Sequence, residues 1–206
     1  MRGSAADPDS GEIGEIISVR SVGRGPGLPP KWAWNPELSN GNLAEVNSHD
    51  FDAIRWLTDA EYDSVFARAE NYKTPDVAEE FPNFYDNATV SFRMDNGIIG
   101  TVDSTCPAGY GYDARMEILG DDGVLFIGEV AKRGVTVCTE EDEFKRPAVS
   151  SWRSLFREAY WKEMKHFVDC ILNDKTPRTT LEDGRKALEV VLAANDSIDK
   201  NREIEV

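Results

Sequence analysis

The sequence predicts an α+β domain, an open and mostly antiparallel β-sheet with helices on one face. Three observations carry that expectation. Short alternating runs of β-branched and aromatic residues fill the first two thirds, Asn-Gly and Asp-Gly pairs punctuate them, and the last third turns to apolar residues at helical spacing. Strands joined by hairpins and then helices form the α+β order.

Taken in order, EIGEIISVRSV at 12–22 reads as a strand that stops at Gly23. The next segment, GRGPGLPPKWAWNP at 23–36, holds three glycines and four prolines, which forbids regular structure and predicts a long loop carrying Trp32 and Trp34. Leu43, Val46, Asp50, Ile54 and Leu57 then repeat at helical spacing and predict a helix over 41–57. EYDSVFARAEN at 61–71 alternates as a strand. DNATVSFRM and GIIGTVDST form a hairpin about Asp95-Asn96-Gly97, and ARMEILG and VLFIG form a second about Asp121-Asp122-Gly123. GVTVCTE at 134–140 is one more strand. An apolar stripe of Trp152, Leu155, Phe156, Ala159, Tyr160, Phe167, Val168 and Ile171 predicts a helix over 152–173. The last helix starts with Thr180 as N-cap and Asp183 three residues on, an acidic near-variant of the capping box.

Composition narrows the function classes. Across 206 residues, 23 Lys+Arg against 38 Asp+Glu leave a net charge of −15, which argues against a grip on nucleic acid. No apolar run approaches the roughly 18–20 residues of a membrane span, and the first residues lack the apolar stretch of a signal peptide, so the expected location is cytoplasmic. Cys106, Cys138 and Cys170 lack the spacing of a zinc or redox motif and are expected as reduced thiols.

The richest chemistry lies in NGNLAEVNSHDFD at 40–52. On a helix Glu45 and His49 stand four apart and Asp52 follows three later, so all three share a face. A carboxylate beside an imidazole orients its tautomer and suits a histidine that accepts a proton; the bland alternative is an exposed helical ion pair. A zinc site is disfavoured, because His166 is the other histidine and no HExxH occurs. Tyr110 and Tyr112, in a glycine-rich connection, offer phenol hydroxyls to a polyol or else pack on the core; the Tyr160 ring, within an apolar stripe, is expected in the core. Gly23, Gly25 and Gly27 imitate a dinucleotide fingerprint, yet Pro26, Pro29 and Pro30 prevent the helix that would hold a pyrophosphate.

With these residues in place, GNLAEVNSHDFDAIRWL, DNGIIGTVDS, YDARMEILGDDGVL, SWRSLFREAYWKEMKHFVDCI and TLEDGRKALEVVLAANDSI, in that order, resemble the C-terminal domain of the Gfo/Idh/MocA oxidoreductases, in its inositol 2-dehydrogenase-like branch. The resemblance implies a C-terminal α/β domain of glyceraldehyde-3-phosphate-dehydrogenase-like type over 11–206, with 1–10 a tail or the remnant of an interdomain crossover. It implies oxidation of a secondary alcohol of a cyclitol or sugar with NAD or NADP. His49 becomes the general base, Glu45 (where family members carry Asp) its orienting partner, and Tyr112, Tyr160 and Asp52 substrate-binding residues. The family's N-terminal Rossmann domain and its Glu-Lys-Pro lysine have no counterpart in the sequence. The chain alone is therefore expected to bind cofactor weakly or not at all, to bind no metal and to pair with copies of itself through the sheet face, either as the C-terminal part of a dehydrogenase, as a truncated gene product or as the partner of a separately encoded Rossmann domain. The alternative reading is a non-catalytic sugar-binding or oligomerisation module.

Overall fold

A computed structural model describes residues 11–130, 137–138, 144–145 and 148–206. Seven strands form one mixed sheet in the order β6-β5-β1-β4-β3-β2-β9: β1 (Ile16–Arg24), β2 (Tyr62–Glu70), β3 (Asn87–Met94), β4 (Ile99–Thr105), β5 (Asp113–Gly120), β6 (Val124–Ile127) and β9 (Ile204–Glu205). Every neighbouring pair is antiparallel except β1 and β4, which run parallel with Gly23 opposite Ser104. Of the strand expected over 134–140, Val137–Cys138 (β7) pairs with Phe144–Lys145 (β8), and the rest lies outside the described residues.

Both hairpins form where their turn residues stand. Gly97 takes a φ of 90°, which the Asn-Gly turn requires, and the Gly120 N–H donates to the Gly123 carbonyl across the second turn. Strand β1 shows the period of two that builds the layers: Val19, Ser21 and Gly23 are buried, while Arg20 between them is exposed.

Two helices cover the buried face. Helix α6 (Leu181–Lys200) buries Ala187, Val190, Val191 and Ala194, and α2 (Ser48–Thr58) buries Phe51 and Ile54, in one core with Val19, Val65, Val90, Val102 and Ile118. The capping box at Thr180 and Asp183 is made in full. Between β1 and α2 run a 3-10 turn (Lys31–Trp34), the short α1 (Pro36–Ser39) and a π-helical turn (Leu43–Asn47). The helix expected over 41–57 is thus present, but its first half is widened.

Helix α5 (Arg157–Leu172) departs from the expected packing. Cys170 is its one buried residue, and Trp161, Met164, Phe167, Ile171 and Leu172 are each more than half exposed. Periodicity locates an apolar stripe but cannot say what covers it. The short α3 (Pro75–Glu80) and α4 (Trp152–Leu155) complete the secondary structure. Among the described residues no helix is long and apolar enough to cross a membrane.

Candidate active site

The site forms where the π-turn sits on the ends of β1 and β4. Hydrogen bonds in a π-turn run from i to i+5, so residues five apart stack on one side. Asn42 and Asn47 are five apart, and both are buried. The Asn42 Nδ2 donates to Ser104 Oγ at 3.3 Å, and the Asn47 Nδ2 donates to the Gly23 carbonyl at 3.4 Å. Gly23 and Ser104 are register partners across the parallel pair, so the turn is seated on both strands at one level.

Asp50, in the first turn of α2, completes that seat. Its carboxylate accepts from Ser21 Oγ at 2.5 Å and from Asn47 Nδ2 at 2.9 Å. Burial between β1 and the turn pushes this carboxyl above the usual carboxylate range, while Ser21, Asn47 and the neighbouring His49 pull it down. None of Ser21, Asn47 and Asp50 stood out as a site residue in the sequence. One signal was there: Asp50 occupies a position of the apolar stripe, where a carboxylate needs a buried partner.

With the inner face so engaged, Glu45 and His49 are left exposed on the outer side. No hydrogen bond joins them among the described residues, so the π-turn does not deliver the pairing that α-helical spacing suggested. Tyr112 is half-buried, with its ring edge-on to Phe156 at 5.9 Å. Burial raises its phenol, and the charges of Asp50, Tyr160, Cys106 and Glu45 raise it further. Tyr160 is 50% exposed and lies 5.5 Å from the Trp152 ring, so it stands at the surface and not in the core.

Asp52 turns elsewhere. It pairs with Arg55, whose side chain is 9% exposed and also binds Glu61 through two hydrogen bonds of 2.7 and 2.9 Å. Asp183 and Lys186 on α6 extend this network, which ties α2 to α6 and to the start of β2.

Tyr110, weighed with Tyr112, donates to Asp113 Oδ2 at 2.6 Å and accepts from Arg24 Nη1 at 3.1 Å. Asp113 is buried, and Arg115 grips both its oxygens. The Cys106 Sγ donates to the Gly27 carbonyl at 2.9 Å, and burial pushes its thiol up to about 11, which removes it as a nucleophile at neutral pH. Cys106 and Cys170 are free thiols, and the side chain of Cys138 lies outside what the structure describes.

No group of three or more His, Cys, Asp or Glu able to hold a metal occurs among the described residues. The glycines at 23–27 lead into the proline-rich loop and the 3-10 turn, with no long helix whose N-terminus could meet a pyrophosphate. These residues do not fit a dinucleotide.

Solved structures place the fold among oxidoreductases. The chain is similar to a probable dehydrogenase from Thermotoga maritima, with a TM-score of 0.88 and 27% identity over 96% of this chain and 58% of that one. It is similar also to scyllo-inositol dehydrogenase from Lactobacillus casei with bound NAD(H) and scyllo-inositol, with a TM-score of 0.85 and 28% identity over 96% of this chain and 58% of that one. Residues 8–126 match the family model described as the GFO/IDH/MocA C-terminal domain, and the chain belongs to that family. Among curated proteins it is 33% identical to the scyllo-inositol 2-dehydrogenase (NAD(+)) of Bacillus subtilis, over 92% of this chain and 54% of that protein. The chain thus spans about half the length of the relatives it matches.

Proposed function

We propose that this chain is the C-terminal, substrate-binding part of an NAD- or NADP-dependent oxidoreductase acting on a secondary alcohol of a cyclitol or sugar. The observation that carries the reading is a pair of exposed side chains one turn apart, Glu45 on the π-turn and His49 in the first turn of α2, with the charge of Glu45 reaching the phenol of Tyr112. Its relatives include inositol dehydrogenases, which supports the substrate class.

His49 takes the hydroxyl proton of the substrate as the general base. Glu45, on the same exposed side but not bonded to the imidazole, orients the neighbouring substrate hydroxyl. Tyr112 and Tyr160 each offer a phenol that can donate and accept, as recognition of a polyol demands. The nicotinamide supplies the hydride acceptor of the complete enzyme and is held outside this chain's described residues, so the chain alone binds no NAD or NADP.

The apolar stripe of α5 supports docking of the remainder of the enzyme. Trp161, Phe167 and Ile171 are too exposed for a finished surface, and α4 and α5 begin beside Tyr112, so a Rossmann domain on that stripe, encoded separately or not, would border the rim. The open sheet face, with Phe66, Arg20, Ile99 and Phe126, is the surface for homo-oligomers. The same two surfaces support the alternative, a sugar-binding or oligomerisation module without catalysis.

The discriminating experiment titrates the chain with scyllo-inositol, myo-inositol and NADH, each followed by NMR. The reading expects a cyclitol to perturb Tyr112, Tyr160 and His49 while NADH leaves the spectrum unchanged. Binding of neither cyclitol overturns the substrate class, and micromolar NADH binding overturns the division of labour.

A further inference from the structure

We propose that Asp50 is the positioning residue of this rim: its carboxyl clamps the π-turn onto β1 and thereby fixes the direction in which Glu45 and His49 leave the helix. The inference rests on the dehydrogenase reading for what His49 does, and on geometry alone for the clamp.

A π-turn is rare and weakly populated, so a chain that keeps one needs contacts that hold it. Here those contacts are polar and lie on the inner side. Asn42 reaches Ser104 on β4, Asn47 reaches Gly23 on β1, and Asp50 bonds both Asn47 and Ser21, two residues before Gly23 on the same face of β1. Asp50 and Asn47 together join the strand, the π-turn and α2, and Asp50 is the charged member of the pair. Ser21 Oγ lies 3.5 Å from the Arg115 carbonyl, so the hydroxyl is held between β5 and the carboxylate.

The space for the clamp is made by a missing side chain. A Cβ at Gly23 would fall 2.3 Å from Asp50 Oδ2 and 2.5 Å from Asn47 Nδ2. The arrangement carries a cost, because the Oδ1 atoms of Asn42 and Asn47 are buried with no hydrogen-bond partner among the described residues. Costs of this kind persist where surrounding structure enforces them, and they gather at functional sites.

The ionisable groups coupled to Asp50 by charge come from three elements. His49 adjoins it on α2, and the charge of Asp50 reaches Tyr62 on β2 and Tyr112 on the approach to β5. Protonating Asp50 removes the charge that Ser21 and Asn47 solvate, so it loosens the clamp and alters the setting of His49 together.

The test uses the 206-residue chain labelled with 13C and 15N. The Asp50 Cγ resonance and the His49 ring resonances are followed across the acid range, with amide exchange over 43–50. The His49 ring is expected to move in step with the Asp50 midpoint, which lies above the ordinary value of about 3.9. Asp50→Ala is expected to abolish that step and to speed amide exchange over 43–50 about tenfold, the effect of losing roughly one hydrogen bond. Ser21→Ala is expected to speed the same amides, and Ser21→Thr, which keeps the hydroxyl, to restore them. His49 resonances that ignore the Asp50 titration, with equal exchange in Ser21→Ala and Ser21→Thr, overturn the proposal. Should Asp50→Ala fail to fold, the Ser21 pair still decides. Failure of the dehydrogenase reading shows separately, as an absence of cyclitol binding by the unaltered chain.

Discussion

Gly23 and Asp50 meet as backbone and carboxylate with no room between them: a methyl group added at Gly23 would lie 2.3 Å from Asp50 Oδ2. Gly23 sits in extended strand, so space and not an unusual φ is what the position demands. Gly23→Ala should therefore destabilise the chain by about 1–3 kcal/mol, the usual cost of overpacking. Urea unfolding checks it, with Gly184→Ala as the control. Nothing lies within 4 Å of a Cβ at Gly184 in α6, so that change should stabilise by about 0.5–1 kcal/mol.

Arg55 supplies a second prediction. It is nearly buried, and three carboxylates converge on it: Asp52, Glu61 and Asp183. Arg55→Ala should cost about 2–4 kcal/mol, toward the lower end because the carboxylates keep some solvent.

The acid response of that network has a definite sign. Arg55, by hydrogen bonding, and then Lys186 hold the Glu61 carboxyl down at about 2, below its ordinary 4.5. A carboxyl depressed in the folded state stabilises fully above its unfolded value, and that contribution drains away as pH falls through the folded one. The stability difference between the unaltered chain and Arg55→Ala should accordingly narrow between pH 4.5 and about 2. Thermal melts at stepped pH read this, and a difference that stays constant would refute it.

On α5 the expectation is the reverse of a core mutation. Trp161→Glu and Ile171→Glu remove side chains that are 63% and 65% exposed, so the stability of the isolated chain should change by no more than about 0.5 kcal/mol. Any self-association or capture of a Rossmann domain that uses the stripe should be lost. Sedimentation velocity and calorimetric unfolding, measured together, separate the two effects.

Tyr112 offers the most local test of substrate contact. Tyr112→Phe keeps the edge-on packing against Phe156, so folding should be unaffected, while cyclitol affinity should fall about fivefold, the worth of roughly one hydrogen bond. Equal affinity in the variant would remove the phenol from the pocket.

Much of the fold was legible because its signals are local. The Asn-Gly and Asp-Gly turns fix two hairpins, alternation marks β1 to β6, and Thr180 with Asp183 starts α6. The parallel pairing of β1 with β4 and the closing strand β9 were not legible, since pairing between distant segments leaves no local trace. At the site, His49 and Glu45 were visible as residue types at a helical spacing. Spacing puts Asp50 on the apolar stripe and Asp52 on one face with Glu45 and His49, whereas the structure ties Asp50 to the π-turn and Asp52 to the Arg55 network.

The sequence by itself determined the α+β class, the turns, the caps, the acidic surface and the set of polar residues between 40 and 52. The tertiary structure decided which way those residues face. A turn that buries Asn42 and Asn47 against a parallel strand pair winds more widely than its propensities prescribe, because the polar contacts to Gly23, Ser104 and Ser21 outweigh the small preference for α-helix. The same logic leaves α5 bare: an apolar stripe states a need for burial, and only the arrangement of whole elements decides whether this chain meets it.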